Sequence, residues 1–211
     1  AQICASNEVV VVADEIHADL ALLPLTFTPF AEAARNAGVR WAATHGPIKT
    51  FGLAGVCDTL LVTNDGEIAA RFENVSHRLH LTRNNVFSLA AFEAAYREGG
   101  EWLDGLLDLV GSNVQRLNDH LDPAIGVMPH EATYLAWLDL RRLGLEVPEL
   151  VRWLAASGVA LSPGHWFGRE GAGFARMSIA ADAEVIDAAV GRLNAAAATT
   201  RRPRPAAPGS A

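Results

Sequence analysis

The hydrophobic and polar positions in the first half of the chain predict strands that alternate with helices. Four consecutive valines at 9–12 have no polar residue between them, which is typical of a strand buried on both faces in the middle of a parallel sheet. Further strands are predicted at 39–44 and 59–63, and helices at 29–37, 67–78 and 86–98. This spacing predicts a parallel-type α/β layer.

The second half of the chain opens with apolar positions of helical period. Seven of them predict one long amphipathic helix: Leu103, Leu106, Leu107, Val110, Val114, Leu117 and Leu121. Strands at 133–140, 159–162 and 174–179 and helices at 148–157 and 182–198 then predict a compact α+β unit. We therefore expect a domain portion at 1–105, the long helix with a small domain at 106–198, and a disordered Arg/Pro tail at 199–211.

Composition narrows the class of protein. The 211 residues are 50% hydrophobic and carry a formal net charge of −7, which argues against nucleic acid as the main partner. No apolar run is long enough to predict a membrane span. The two cysteines, Cys4 and Cys57, have no paired spacing, which favours a reducing cytoplasm and predicts no metal site. Because the chain begins with Ala1 and soon enters a strand, we expect it to be part of a longer protein.

Polar side chains follow the valine strand where a ligand site is expected. Asp14, Glu15 and His17 come directly after it, and ligands of open α/β sheets bind at the carboxyl ends of the strands. The alternative is that Asp14 only begins a loop or caps a helix.

Lys49 is the only lysine among the seventeen lysine and arginine residues. Arginine can replace lysine as a positive charge, but it does not lose a proton to become an amine nucleophile. A single lysine therefore indicates a position that needs a primary amine, and such chemistry is usually a Schiff base. The alternative is a chance surface lysine in an arginine-rich chain.

Five motifs occur in order along the chain: ADEIHADL, IKTFGLAG, TYLAWLDL, LSPG and GFARMSIA. Together they resemble the fold-type I enzymes that depend on pyridoxal 5′-phosphate (PLP), and within the class I/II aminotransferase superfamily the MalY/PatB branch of C–S lyases. The likeness covers residues 1–198 and corresponds to the later half of such an enzyme. It implies an aspartate aminotransferase-like α/β fold: residues 1–105 as the C-terminal portion of the PLP-binding large domain, with a mostly parallel sheet, followed by a small α+β C-terminal domain.

The resemblance also implies a role for four residues. Lys49 matches the lysine that binds PLP, and Asp14, 35 residues before it, matches a buried aspartate that keeps the pyridine nitrogen protonated. His17 matches a residue that hydrogen-bonds the ring hydroxyl. Arg176 matches the arginine that binds the substrate α-carboxylate through a bidentate pair; the alternative is a surface cation on an edge strand.

Three positions near Lys49 depart from the family pattern. Serines three and one residues before the lysine are replaced by Gly46 and Ile48, and an asparagine three residues after it by Gly52. We therefore expect weaker anchoring of the PLP phosphate.

The implied activity is a cystathionine or cysteine-conjugate β-lyase, which releases a thiol, pyruvate and ammonia from an amino-acid substrate. Two alternatives stay open: an aminotransferase on the same scaffold, and a truncated, non-catalytic pseudoenzyme or interaction protein. The resemblance further implies a cytoplasmic homodimer.

Overall fold

The computed structural model describes residues 1–82 and 84–200, which fall into two compact units. The first unit is Ala1–Leu107 and the second begins at Asp108, so the division lies within one helix, Gly100–His120. From residue 201 on, the predicted tail lies outside the described residues. The first two residues of the predicted tail, at 199–200, belong to the last helix. The assignment of these parts to larger domains stays a prediction.

The first unit is a three-stranded sheet with helices. Its elements in chain order are α1 (Gln2–Ser6), β1 (Val11–Asp14), α2 (Phe30–Ala34), β2 (Trp41–His45), β3 (Leu60–Thr63), α3 (Gly66–Arg78), α4 (Val86–Glu98) and the first part of α5 (Gly100–His120). The strand order is β1-β2-β3. β1 pairs with β2 in parallel and β2 with β3 antiparallel, so this sheet is mixed.

One face of β1 and β2 packs against the region of α2. Ala34, Val39, Trp41 and Ala43 form a buried apolar cluster there, and the ring of Phe30 meets that of Trp41 edge-on at a centroid distance of 6.4 Å. Burial of apolar side chains at about 25 cal/mol per Å² is the main force that holds such a cluster together. The cluster fixes the inner face of the strand pair.

The valine run differs from its prediction. β1 begins only at Val11, and Val12 on its outer face is 72% exposed. The predicted burial on both faces is wrong because, among the described residues, β1 hydrogen-bonds to β2 alone and only its inner face packs on the cluster around Trp41. Its side chains therefore alternate between half-buried and exposed.

The second unit is a four-stranded antiparallel sheet with helices. After α5 come β4 (Gly126–Val127), β5 (Leu135–Asp139), α6 (Val147–Ala156), β6 (Ser162–Pro163), β7 (Phe174–Ser178) and α7 (Ala183–Thr200). The strand order is β4-β5-β7-β6, with every pairing antiparallel. Alternate residues of the central strands and one stripe of α7 form its core: Ala136, Leu138, Ala175, Met177, Ile186, Val190 and Leu193.

Most predicted elements are confirmed. α4 has the predicted bounds, and the long apolar stripe forms a single helix, α5. Several elements are shorter than predicted, among them α2 and β6. α2 ends at Ala34 rather than 37, and the strand predicted at 159–162 is only the two residues of β6, because the facing strand β7 pairs with Ser162 and Pro163 alone.

Neither a membrane span nor a metal cluster occurs in the part of the chain that the structure describes. No helix there combines the length and apolar character that a bilayer crossing requires. No group of three or more His, Cys, Asp or Glu side chains there is arranged to hold a metal ion.

Replacement of Asn113 by Ala should destabilise the second unit. This buried side chain on α5 donates from Nδ2 to the carbonyl oxygens of Ile179, at 2.9 Å, and Ala181, at 2.8 Å. Its removal leaves buried acceptors without their donor, which costs about 1–3 kcal/mol. Urea unfolding measures the loss. Gln115→Ala on the same helix, where the amide is exposed and bonds only to Asp119, should change the unfolding free energy by less than about 0.5 kcal/mol; equal losses would contradict the prediction.

Candidate active site

The parallel strands β1 and β2 end at the same edge of the sheet, so the segment that follows Asp14 and the turn with Lys49 both start there. Asp14, the last residue of β1, is in register with Thr44 near the end of β2. The Thr44 hydroxyl donates to Asp14 Oδ1 at 3.0 Å. Within this chain the carboxylate is exposed, on the same outer face of β1 as Val12. Its burial against a cofactor stays a prediction.

Lys49 extends from the turn that directly follows β2. The turn closes with a hydrogen bond from Phe51 N to the Pro47 carbonyl at 3.0 Å. Pro47 and Thr50 are buried, whereas Lys49 is half-buried. Because the carboxyl ends of parallel strands meet at the same edge, the turn that carries the Lys49 amine follows the sheet edge at which β1 ends with Asp14.

The glycines that depart from the family pattern have local structural reasons. At Gly52 φ is +66°, a left-handed conformation that glycine and, less readily, asparagine adopt. Glycine therefore suits the position where the family carries asparagine. A Cβ at Gly46 would lie 3.2 Å from the Asp58 carbonyl oxygen and 3.2 Å from Thr59 Cγ2, so a serine would have to push its neighbours aside. Gly46 thus permits the close approach of these two segments.

His17 and Arg176 lie in different units. His17 is half-buried just after β1, at the start of the 3₁₀ turn Ala18–Leu20. Arg176 lies on β7 of the second unit, with β5 and β6 on either side, so the alternative of an edge strand is wrong. Its guanidinium stands 4.8 Å from the ring centroid of Phe167. The roles of both residues toward a ligand stay predictions.

Two acidic residues contact the residues that flank Lys49: Glu15, which sequence reasoning already placed after the valine strand, and Asp19, which it missed. Asp19 Oδ2 accepts a hydrogen bond from the Thr50 hydroxyl at 2.9 Å. Buried Glu15 lies with Oε2 2.8 Å from Nε2 of His45, at the end of β2. Both acids belong to the ADEIHADL motif. The position of Asp19 within this motif was the signal available in the sequence.

Partial desolvation raises the pKa of two side chains in the first unit. It raises the pKa of Tyr96 to about 12, with the charge of Asp19 and the hydrogen bond to it adding to the shift. Burial also raises the pKa of the Cys57 thiol. Both groups therefore keep their protons at neutral pH, and Cys57 has little thiolate character with which to act as a nucleophile.

Comparisons with known proteins show the family to which the chain is related. A family profile, "Aminotransferase class I and II", matches residues 1–193. Cystathionine beta-lyase PatB of Bacillus subtilis (strain 168) is 33% identical over 199 residues, which are 92% of this chain and 51% of PatB.

Two solved structures match closely. A PLP-bound protein of Clostridium difficile 630 superposes with a TM-score of 0.86 at 32% identity, over 92% of this chain and 51% of that one. Cystalysin of Treponema denticola, which contains a PLP cofactor, superposes with a TM-score of 0.85 at 27% identity, over 94% and 52%.

These likenesses confirm the predicted fold-type I, aminotransferase-like α/β fold. The chain spans about half the length of the relatives that it matches. On the match that extends over residues 1–193, the chain belongs to the aminotransferase class I and II family, whose solved relatives carry PLP.

Proposed function

We propose that the protein is a PLP-dependent C–S β-lyase that acts on an amino acid with a sulfur leaving group, of the cystathionine or cysteine-conjugate type. The observation that carries the proposal is the position of Lys49, the single lysine, on a turn that follows the sheet edge where Asp14 ends β1. The names of PatB and related cystathionine β-lyases favour the same activity.

The residues at this edge fit PLP at two of its functional groups. A primary amine is the group that condenses with an aldehyde, and within residues 1–82 and 84–200 the Lys49 amine is engaged in no ion pair or hydrogen bond. The carboxylate of Asp14 suits a protonated ring nitrogen. Gly46 and Ile48 bring no hydroxyl to the phosphate, so this part of the cofactor would need other donors.

When bound, PLP supplies an aromatic ring that accepts electrons from the substrate Cα. Lys49 would hold the cofactor and, once the substrate has bound, take the proton from Cα. Asp14 would hold the proton on the ring nitrogen, and His17 would donate to or accept from the ring hydroxyl. Arg176 would bind the α-carboxylate with a bidentate pair.

The net reaction breaks the bond between the β-carbon and sulfur. The sulfur leaves as a thiol and takes up a proton. Water replaces the amino nitrogen of the remaining three-carbon unit, and pyruvate and ammonia result. Lys49 would take the proton from Cα and could return a proton to the leaving sulfur, which accounts for both proton transfers.

A related candidate is an aminotransferase, which the description of the family favours. The same amine and carboxylate serve both reactions. The third candidate, a non-catalytic pseudoenzyme or interaction protein, is motivated by Gly46 and Ile48, which remove the hydroxyls expected near the phosphate.

We also propose a cytoplasmic homodimer. The free cysteines Cys4 and Cys57 suit a reducing compartment. Phe72 and Val75 on α3 and Leu79 directly after it are each more than half exposed. Exposed apolar side chains of this kind are typical of an interface. Light scattering measures the subunit number.

Reduction of the protein with borohydride in the presence of PLP should attach the cofactor to Lys49. Peptide mapping by mass spectrometry identifies the modified residue, and Lys49→Ala should remove both this adduct and the thiol release. Loss of a covalent catalytic amine is expected to lower kcat/KM by at least about 10³-fold.

Lys49→Arg is the matched control, because it keeps the positive charge and removes the nucleophile. It should behave as Lys49→Ala. Thiol release at the normal rate by either variant, or an adduct on another residue, would refute the role of Lys49.

The products distinguish the first two candidates. A β-lyase should form pyruvate and thiol in equal amounts from cystathionine or a cysteine conjugate with no keto acid present. An aminotransferase should require a keto-acid acceptor and release no thiol. If the protein traps PLP at Lys49 but catalyses neither β-elimination nor transamination, the result favours the pseudoenzyme.

A further inference from the structure

Thr50, the residue that follows Lys49, is held through both its side chain and its main chain. It is fully buried. Its hydroxyl donates to Asp19 Oδ2 at 2.9 Å, and its carbonyl oxygen accepts from the indole N–H of Trp102 at 3.3 Å. These partners lie 31 and 52 residues away in the sequence. Thr50 is therefore fixed by long-range contacts and not only by the turn.

Asp19 receives a second hydroxyl. Tyr96 Oη lies 3.4 Å from the same Oδ2 atom, and the Tyr96 ring meets Phe51 edge-on at a centroid distance of 5.6 Å. Because Tyr96 keeps its proton at neutral pH, its hydroxyl donates to the carboxylate. Both donors to this oxygen are neutral, so the contacts depend on hydrogen-bond geometry rather than on an exposed ion pair that salt would screen.

At the other end of the lysine turn, the side chain of His45 contacts a second acid of the same motif. His45 Nε2 lies 2.8 Å from Oε2 of buried Glu15, whose Oε1 accepts from Phe30 N at 2.7 Å. Glu15 and Asp19 thus contact the residues that flank the turn, His45 before it and Thr50 after the lysine. One short acidic segment therefore contacts side chains on both sides of Lys49.

We infer that Asp19 is a positioning residue for the Lys49 amine, which it directs by fixing Thr50. Consecutive Cα atoms are about 3.8 Å apart across a rigid peptide plane, so the orientation of Thr50 sets the direction in which the Lys49 side chain leaves the main chain. A displacement of a reacting group by about 1 Å can lower a rate about 10²-fold. This inference rests on the proposed function of Lys49.

The test compares Thr50→Val, which removes the hydroxyl at nearly constant volume, with Asp19→Asn, which keeps a weaker acceptor. The first readout is the second-order rate at which borohydride traps PLP on Lys49. We expect Thr50→Val to slow trapping at least tenfold and Asp19→Asn to slow it less. Thr50→Ser, which restores the hydroxyl, should return the rate to within about threefold of the wild type.

The second readout needs no cofactor. Formaldehyde and cyanoborohydride label the amines of the PLP-free protein, with the N-terminal amine as an internal reference. A half-buried Lys49 that is released from its fixed backbone should be labelled several times faster relative to that reference. All measurements are made at a temperature at which near-ultraviolet circular dichroism shows each variant to be folded.

Thr63→Val is the matched control. The Thr63 hydroxyl also bonds within the first unit, to the Trp41 carbonyl and to Asp65 N, but it does not contact the lysine turn. It should lower stability while leaving both the trapping rate and the labelling ratio unchanged.

The outcomes separate this inference from the proposed function. If Thr50→Val traps PLP at Lys49 as fast as Thr63→Val does, Asp19 and Thr50 serve stability alone and the inference is overturned. If the wild type forms no adduct at Lys49, the proposed function fails instead. The formaldehyde ratio then decides the inference by itself, since an unchanged ratio in Thr50→Val refutes the positioning role.

Discussion

The parallel pairing of β1 with β2 is the constraint on which the candidate site depends. Its register sets Asp14 beside Thr44, and the Thr44 hydroxyl bonds to the carboxylate. The chain leaves β2 directly into the turn that carries Lys49. A shift of the register by one residue would turn Asp14 to the opposite face of the sheet, because side chains alternate along a strand. The acid and the amine share a sheet edge only in this register.

The contacts around the lysine turn are of a different kind from the charge pairs on the surface. Arg71 and Glu67 on α3 are both largely exposed, and such pairs contribute little to stability. Glu15 and Thr50 are buried, and loss of a partner for a buried polar group is costly. The main chain at Thr50, directly after Lys49, is therefore held by contacts that cost more to lose than such surface pairs. The chemistry of an amine benefits from this rigidity, since its direction is set before a ligand arrives.

Departures from the family pattern near Lys49 follow backbone geometry as much as ligand chemistry. Gly52 adopts a left-handed φ that a residue with a Cβ takes at a cost. Gly46 lies where a Cβ would crowd the Asp58 carbonyl oxygen. In both places glycine removes a Cβ that would strain or crowd the main chain. In the proposed function, Gly46 and Ile48 offer no side-chain hydroxyl to the PLP phosphate.

The sequence by itself determined the elements whose signals are local. The helical period of the apolar positions predicts α5, and the predicted range of α4 is confirmed, because each helix makes its hydrogen bonds within itself. The single lysine, Lys49, and the order of the five motifs are likewise evident from the sequence alone. Only the tertiary structure decided that Val12 and Asp14 face outward, that Arg176 lies on an interior strand and that Asp19 reaches Thr50. These outcomes depend on strand order, on register and on which faces are covered. Each of these brings together segments about thirty residues or more apart in the sequence. Such pairings follow from the packing of the whole unit, and no local pattern specifies them.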